Sequence, residues 1–279
     1  MWIKNYKPYT PSRRYMIWYS FDEITTNKPY KNLVSWKKRS SWRNNKWRIT
    51  ARFRWWWHKK LLRKVDFRWY DKVWIPAKVE SIEYDPNRSS RIVLLSYKDG
   101  EKRYTLARKW CSVWDEIINW HEWKITNWNR KQLADIPQWV SVFNLEFTPF
   151  TKGKIIKSAW AYATVVWKDD TWHILIKLPS TEIRKFNEKC RATIWQLWNE
   201  NHKNIVIWKA WRQRRKWIKP HILWKSMNAV DHPHWWWEWH KSIGNKRIKS
   251  PTWRNVTPWV KTRSKKKQSN KFIVSRRKK

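Results

Sequence analysis

Glycine is nearly missing from this sequence, with 3 residues in a chain of 279, where an ordinary share of about 7% would give about 20. Cysteine is scarce as well. Cys111 and Cys190 are far apart and lack partners at metal-ligand spacing, so they read as inert thiols of a reducing compartment, not as a disulfide framework or a zinc site. Acid is the third shortage: 21 Asp and Glu face 63 Lys and Arg, for a net charge of +42. A surplus of that size repels itself in an isolated compact domain and calls for a polyanionic partner. Long apolar runs are missing too. The longest uncharged stretch, Ser158 to Trp167, falls well short of the roughly 20 residues a membrane span needs. Met1 to Arg14 has no apolar segment followed by a small-residue cleavage site, so no secretory signal is read there.

What the chain has in excess is tryptophan, 31 residues. Added to the glycines they make an ordinary glycine content for a loop-rich, nucleic-acid-binding chain. Their contexts are those of turns: Trp42-Arg43-Asn44-Asn45, Asn127-Trp128-Asn129, Trp198-Asn199, and the triplets Trp55 to Trp57 and Trp235 to Trp237. Glycine there would supply positive φ angles and let the backbone approach phosphate closely, whereas three adjacent indoles would expose an apolar patch that soluble proteins avoid. The codon UGA differs by one base from the glycine codon GGA. Most tryptophan letters are therefore expected to stand for glycine, least clearly at Trp2, Trp18, Trp36, Trp69 and Trp172. The literal alternative is a set of aromatic platforms on which bases stack.

Charge divides the chain. Residues 65–200 carry 22 basic and 17 acidic side chains, the balance of an ordinary globular region. Ser35 to Lys64 holds twelve basic residues and no acid, and Lys241 to Lys279 holds fifteen and no acid. A single such run is usually a solvated segment; two of them flanking a near-neutral centre point to nucleic acid. The centre reads as short strands. Lys78 to Tyr84 alternates, Asp85-Pro86-Asn87 turns, and Ile92 to Tyr97 is apolar. Lys98-Asp99-Gly100-Glu101 is a hairpin signal that leads into Arg103 to Leu106. A second group follows: Val140 to Phe147, Ala161 to Trp167, His173 to Leu178, a turn at Pro179 to Glu182, and Ile183 to Phe186. Helical periodicity is confined to short turns near Ile194 to Glu200. The expected fold is all-β: two small barrels, the first OB-fold-like and the second SH3-like, flanked by long irregular basic extensions. The boundaries expected are 1–64, 65–125, 126–200 and 201–279.

Five segments share an order and a spacing. Ser41 to Lys60, with glycine restored at its tryptophans, contains GRNNKGRITARFRGGGHKK; Val79 to Arg103 reads VESIEYDPNRSSRIVLLSYKDGEKR with no restoration. Cys190 to Ile194 (CRATI) is followed by Trp195, Trp198, Asn199 and Glu200; Met227 to Trp239 reads MNAVDHPHWWWEW; Lys271 to Lys279 reads KFIVSRRKK. Together they resemble the family of the second protein of the large ribosomal subunit, over roughly residues 40–279. Ala229 stands where that family usually has proline, and Arg215 where it commonly has tryptophan.

The resemblance implies a structural, ribosomal-RNA-binding component with no catalytic role and no cofactor. Its expected partners are large-subunit ribosomal RNA, neighbouring ribosomal proteins and the small subunit at an intersubunit bridge, in a bacterial cytoplasm, with roles in subunit association, tRNA placement and peptide-bond formation. RNA contacts are expected from Arg43, Asn44, Asn45, Arg48, Arg52, Arg54, His58, Lys59, Lys60 and Arg63 in the first basic run. Arg88 and Arg191 are expected to contribute from the centre. Farther along come Lys209, Arg212, Arg214, Arg215, Asn228, Asp231, His232 and His234, then Lys261, Arg263, Lys265 and Lys266. Arginine can grip phosphate bidentately, and asparagine can bond base edges or ribose hydroxyls. In the family, the loop that Asp231 to His234 matches reaches towards the peptidyl-transferase region, and His232 matches a histidine proposed to assist there; since RNA carries that chemistry, His232 is read as a contact or positioning residue.

Two other classes fit less well. A cationic, membrane-active protein needs literal tryptophans on amphipathic faces, but here they cluster beside Asn, Lys and Pro. A hydrolase or metal enzyme around His58, His232 and His234 lacks a nucleophile or a complete ligand set.

Overall fold

The computed structural model describes residues 3–37, 42–54, 58–118, 127–169, 172–234, 247–256 and 263–277. The chain forms two compact units: Met1–Lys38 with Lys59–Lys209 and Lys271–Lys279, and Arg39–His58 with Ala210–Asn270. The architecture is all-β. Among the described residues the α-helix Ala210–Arg215 is the single exception to strands, turns and 3-10 segments.

The first unit holds two main sheets. In the four-stranded sheet, Ala77–Glu83 lies between Ile92–Tyr97 and Glu116–Ile117, and Lys102–Leu106 pairs on the far side of Ile92–Tyr97. The Asp99-Gly100 turn forms as its residues require, with Gly100 at φ 83°. Simple alternation along Ala77–Glu83 breaks at one place. A bulge between Val79 and Ser81 shifts the register, so Ile82 is buried together with Ser81 and Glu83. A bulge adds one residue and re-aims those after it. The Glu83 carboxylate is received by the Tyr104 hydroxyl, which donates to both oxygens at 3.0 and 2.8 Å and accepts the Tyr30 N–H at 2.7 Å.

The seven-stranded antiparallel sheet runs, edge to edge, Ile273–Ser275, Ile183–Asn187, His173–Lys177, Ala163–Asp169, Ser141–Phe143, Arg191–Ile194 and Arg130–Gln132. Its core is Val142, Phe143, Val165, Ile174, Ile176 and Phe186. The run Val140 to Phe147 makes two strands instead of one, because Asn144 at φ 49° turns the chain between Ser141–Phe143 and Leu145–Glu146. Gly153 approaches that corner so closely that a Cβ there would sit 2.6 Å from the Asn144 carbonyl oxygen. The helical turns expected near Ile194 to Glu200 appear one step later, as the 3-10 segment Glu200–Asn204, and the α-helix Ala210–Arg215 lies beyond the expected range.

Short ladders also occur within the basic ends. Ile3–Asn5 pairs with Ile17–Tyr19, and Val34–Trp36 pairs with Leu61–Arg63. The final ladder joins Ile273–Ser275 to the edge strand Ile183–Asn187.

The backbone makes a further demand. Among the described residues, twenty-one other than glycine lie at positive φ, and fourteen of them are tryptophan. The left-handed region costs a residue with a Cβ about 1–2 kcal/mol, in a fold whose whole net stability is about 5–15 kcal/mol.

Candidate nucleic-acid interface

Stoichiometry sets the electrostatics of the second unit. It contains twenty-two Lys and Arg, and its two acids are Asp231 and Glu238. Most of its cations therefore have no carboxylate within the unit to neutralise them. The first unit is different, because its bases meet acids. Arg103 bonds Asp66 at 2.9 Å, Asp71 at 2.5 Å and Glu101 at 2.7 Å, and Lys72 pairs with Asp99 and Glu101. The Arg103 guanidinium holds the Asp71 carboxyl below its usual range.

Within the second unit, Arg43 and Ile49 are bridged antiparallel. The Asn44 N–H donates to the Arg48 carbonyl at 3.0 Å, the Trp47 N–H to the Asn44 carbonyl at 3.0 Å, and the Thr50 N–H to the Trp42 carbonyl at 2.8 Å. The Asn44 side-chain oxygen accepts the Arg48 N–H at 2.9 Å. That oxygen is thus engaged in shaping the hairpin and is not offered to a base, whereas Arg43, Asn45 and Arg48 stand exposed around it. Arg52 and Arg54 continue this exposed edge. Their strand is fixed by the Arg54–Ile218 bridge and by the Lys219 N–H donating to the Phe53 carbonyl at 2.9 Å. His58 is exposed, and its carbonyl accepts the Trp217 indole N–H at 2.7 Å.

The helix Ala210–Arg215 carries Arg212, Arg214 and Arg215 in its last turn. Arg215 is exposed and the other two are half-buried. Beyond it, the Asn228 carbonyl accepts the N–H groups of Asp231 (2.9 Å) and His232 (3.3 Å), which closes a turn with Asn228 and Asp231 on the surface. His232 and His234 lie inside, 6% and 3% exposed. The His234 N–H donates to His232 Nδ1 at 3.1 Å, and the Lys249 N–H donates to His234 Nε2 at 2.6 Å. Both rings therefore accept as neutral imidazoles, His232 carrying its proton on Nε2 and His234 on Nδ1. Burial, then His234, then Arg52 hold His232 below its ordinary pKa. Both imidazoles are expected RNA contacts; in this structure each accepts a main-chain N–H, and the pair knits the turn to the strand-like segment at Lys249.

Other expected contacts divide in the same way. Arg63 is buried, donates to the Leu61 carbonyl at 3.3 Å and lies in the field of Glu83, so its guanidinium serves the interior of the first unit. Arg88 is half-buried with Nε on Asp85 at 2.6 Å. The Arg191 guanidinium lies 4.5 Å from the Tyr70 ring centre. Lys59 and Lys209 are exposed and Lys60 half-buried. Arg263 bonds Asn270 at 2.8 Å and Ser269 at 3.0 Å, and Lys265 and Lys266 are exposed. Lys261 lies outside the described residues. Lys46, Arg247, Arg254 and Lys267 are further exposed cations, not among the expected contacts, and their place in the same acid-free runs is the signal that marks them.

Among the described residues no group of three or more His, Cys, Asp or Glu could hold a metal ion, and no helix is long and apolar enough to cross a membrane. An exposed hairpin of arginines and a mostly uncompensated cationic unit are suited to binding phosphates. Residues 30–119 match the family described as Ribosomal Proteins L2, RNA binding N-terminal domain, and residues 127–254 match Ribosomal Proteins L2, C-terminal domain. These two matches follow one another along most of the chain, which belongs to the L2 family of ribosomal proteins, structural RNA-binding constituents of the large subunit and not enzymes.

Proposed function

We propose that this chain organises large-subunit ribosomal RNA near the peptidyl-transferase region and supports subunit association, tRNA binding and peptide-bond formation. The observation that carries the reading is the charge of the second unit, twenty-two cations to two acids, with Arg43, Arg48, Arg52 and Arg54 exposed along one continuous segment. These four, with Asn45, His58, Lys59, Arg215, Lys265 and Lys266, are the proposed direct contacts; Lys261 is proposed from its basic run alone. Asn228 and Asp231 present the surface of the turn that the two histidines hold. His232 acts as a positioning residue: its neutral ring fixes the turn, and RNA carries the chemistry. The near-neutral regions 65–125 and 126–200 serve as successive anchoring modules between the basic segments. The remaining partners are neighbouring ribosomal proteins and the small subunit at an intersubunit bridge, in the cytoplasm.

The form that works on the ribosome carries glycine at most of the positions written as tryptophan, because UGA is read as glycine where it is made.

The test is binding of the purified chain to large-subunit ribosomal RNA across a salt series, together with co-sedimentation with large subunits. Affinity should fall steeply and linearly on a logarithmic salt axis, as counterion release requires. Binding that ignores salt, or absence from sedimented subunits, overturns the reading.

A further inference from the structure

We infer that the native protein carries glycine at fourteen identified positions, 42, 47, 69, 74, 110, 114, 128, 139, 160, 172, 195, 208, 217 and 253, each a tryptophan here on left-handed backbone, and that the exposed turns among them present bare main chain to RNA phosphates. This deepens the glycine reading above by assigning it position by position from backbone geometry.

The backbone argues first. Twenty of the 31 tryptophans lie among the described residues, and fourteen of these have φ between 51° and 106°. Left-handed backbone is the region where a Cβ is penalised and glycine is not. Gly100 occupies the same region at φ 83° and does there what Trp114 at 74° and Trp128 at 89° are asked to do. The other seven such residues are spread over Phe, Asn, Ile and Thr, so the concentration belongs to tryptophan alone.

The surroundings of the indoles argue independently. Trp47, Trp114, Trp139 and Trp172 are each at least 70% exposed, leaving the largest apolar side chain in water. Trp128 is 1% exposed, and its indole N–H is buried without an acceptor, as is that of Trp195; a buried indole N–H ordinarily finds one. At these positions, outside or inside, the side chain does not suit its place, whereas Trp208 and Trp217, whose indole N–H groups bond the Pro11 and His58 carbonyls at 2.9 and 2.7 Å, are assigned from the backbone alone. Trp69 and Trp172, which in sequence look least like glycine, are at φ 57° and 58° and belong to the assigned set. Trp18, Trp36, Trp167, Trp198, Trp211 and Trp224 lie on ordinary backbone, which places no such demand and leaves them unassigned.

The consequence for the interface is local. Trp42 and Trp47 are part of the hairpin that exposes Arg43, Asn45 and Arg48. Without two indoles, the main-chain N–H groups that the hairpin's own bonds leave unused, those of Asn45 and Lys46 at its tip, come within reach of a phosphate that the arginines already attract.

The experiment is peptide mass mapping of the native protein recovered from purified large subunits. Glycine is expected at the fourteen positions, with an intact mass more than a kilodalton below 35.1 kDa. A mass of 35.1 kDa, with tryptophan throughout, overturns both this assignment and the general glycine reading. Tryptophan at most of the fourteen, with glycine confined to other tryptophan letters, overturns this assignment alone. A second measurement compares two recombinant chains, one as written and one with glycine at the fourteen positions, in thermal unfolding and ribosomal-RNA binding. The glycine chain should unfold cooperatively and bind at least tenfold more tightly. Equal folding and equal affinity of the chain as written overturn the assignment, while failure of both chains to bind RNA counts against the ribosomal reading and leaves the mass result standing.

Discussion

Arg130 and Glu146 face each other at 2.7 Å with neither side chain exposed to solvent. Arg130 also donates to the Asn144 carbonyl at 2.9 Å, while the Arg191 N–H at 3.2 Å and the Tyr70 hydroxyl reach the same carboxylate. The pair thus joins the corner at Asn144 to the strands Arg130–Gln132 and Arg191–Ile194. Removing one partner strands a buried charge, so Glu146→Ala should cost about 3–5 kcal/mol, whereas replacing both groups by apolar residues of similar size costs much less. Urea unfolding of Glu146→Ala beside the double variant Arg130→Met/Glu146→Leu measures this; a double variant as unstable as the single one would refute the buried-charge account.

Two glycines should respond differently to alanine. At Gly153 the new Cβ would lie 2.0 Å from Asn144 Oδ1 and 2.6 Å from its backbone oxygen, so the corner itself must move. That is overpacking, worth about 1–3 kcal/mol. At Gly100 nothing lies within 4 Å, and the cost is that of φ 83° alone, about 1–2 kcal/mol. A change in packing at the Asn144 corner, read from amide chemical shifts, should accompany Gly153→Ala and be absent for Gly100→Ala.

Arg48 and Arg63 make a matched test of surface against interior. Arg48→Ala should lower the salt slope of RNA binding by about one and leave stability within about 0.5 kcal/mol. Arg63→Ala should do the reverse, lowering the unfolding midpoint with the salt slope unchanged, because its guanidinium is buried on Leu61–Arg63. Identical behaviour of the two variants would contradict the division.

The turn around His232 should depend on pH. Its folded pKa is depressed below 6.5, chiefly by burial, so the unfolded chain takes up a proton before the folded one does. The stability held by the neutral ring is complete above pH 6.5 and declines as pH falls from there towards the depressed folded value. Protonated Nδ1 can no longer accept the His234 N–H. Hydrogen-exchange protection of the His234 amide, normalised for intrinsic rate, should drop in that window, and a flat profile would count against the arrangement.

Both cysteines are buried, and burial pushes each thiol up to about 12. Neither should react with a thiol reagent at pH 8 while the chain is folded, since the thiolate is the reactive form, and both should react in denaturant. Rapid labelling of the folded chain would show that Cys111 or Cys190 is more open than its surroundings imply.

Much of the strand content was legible because alternation and turn residues acted together. Ile92 to Tyr97 and the Asp99-Gly100 turn lie where the residues place them. The bulge at Glu80 and the break at Asn144 were not legible, because the first is decided by the register against Ile92–Tyr97 and the second by the corner packed on Gly153, neither of which the local pattern contains. The interface divides likewise. Acid-free runs mark which segments are cationic, but whether a given side chain turns outward depends on contacts that composition does not contain. Arg63 and the two histidines turn inward because buried acceptors and donors await them.

The ladder of Val34–Trp36 with Leu61–Arg63 gives the first basic run two fixed ends instead of one. Residues between those strands are a closed loop, and Ile273–Ser275 on Ile183–Asn187 closes a longer one around the second. Closure is costly once, during folding, and its penalty grows only slowly with loop length. A polyelectrolyte arm moored at both feet samples less volume before it finds its target, so less disorder is lost on docking than for a frayed end of equal charge.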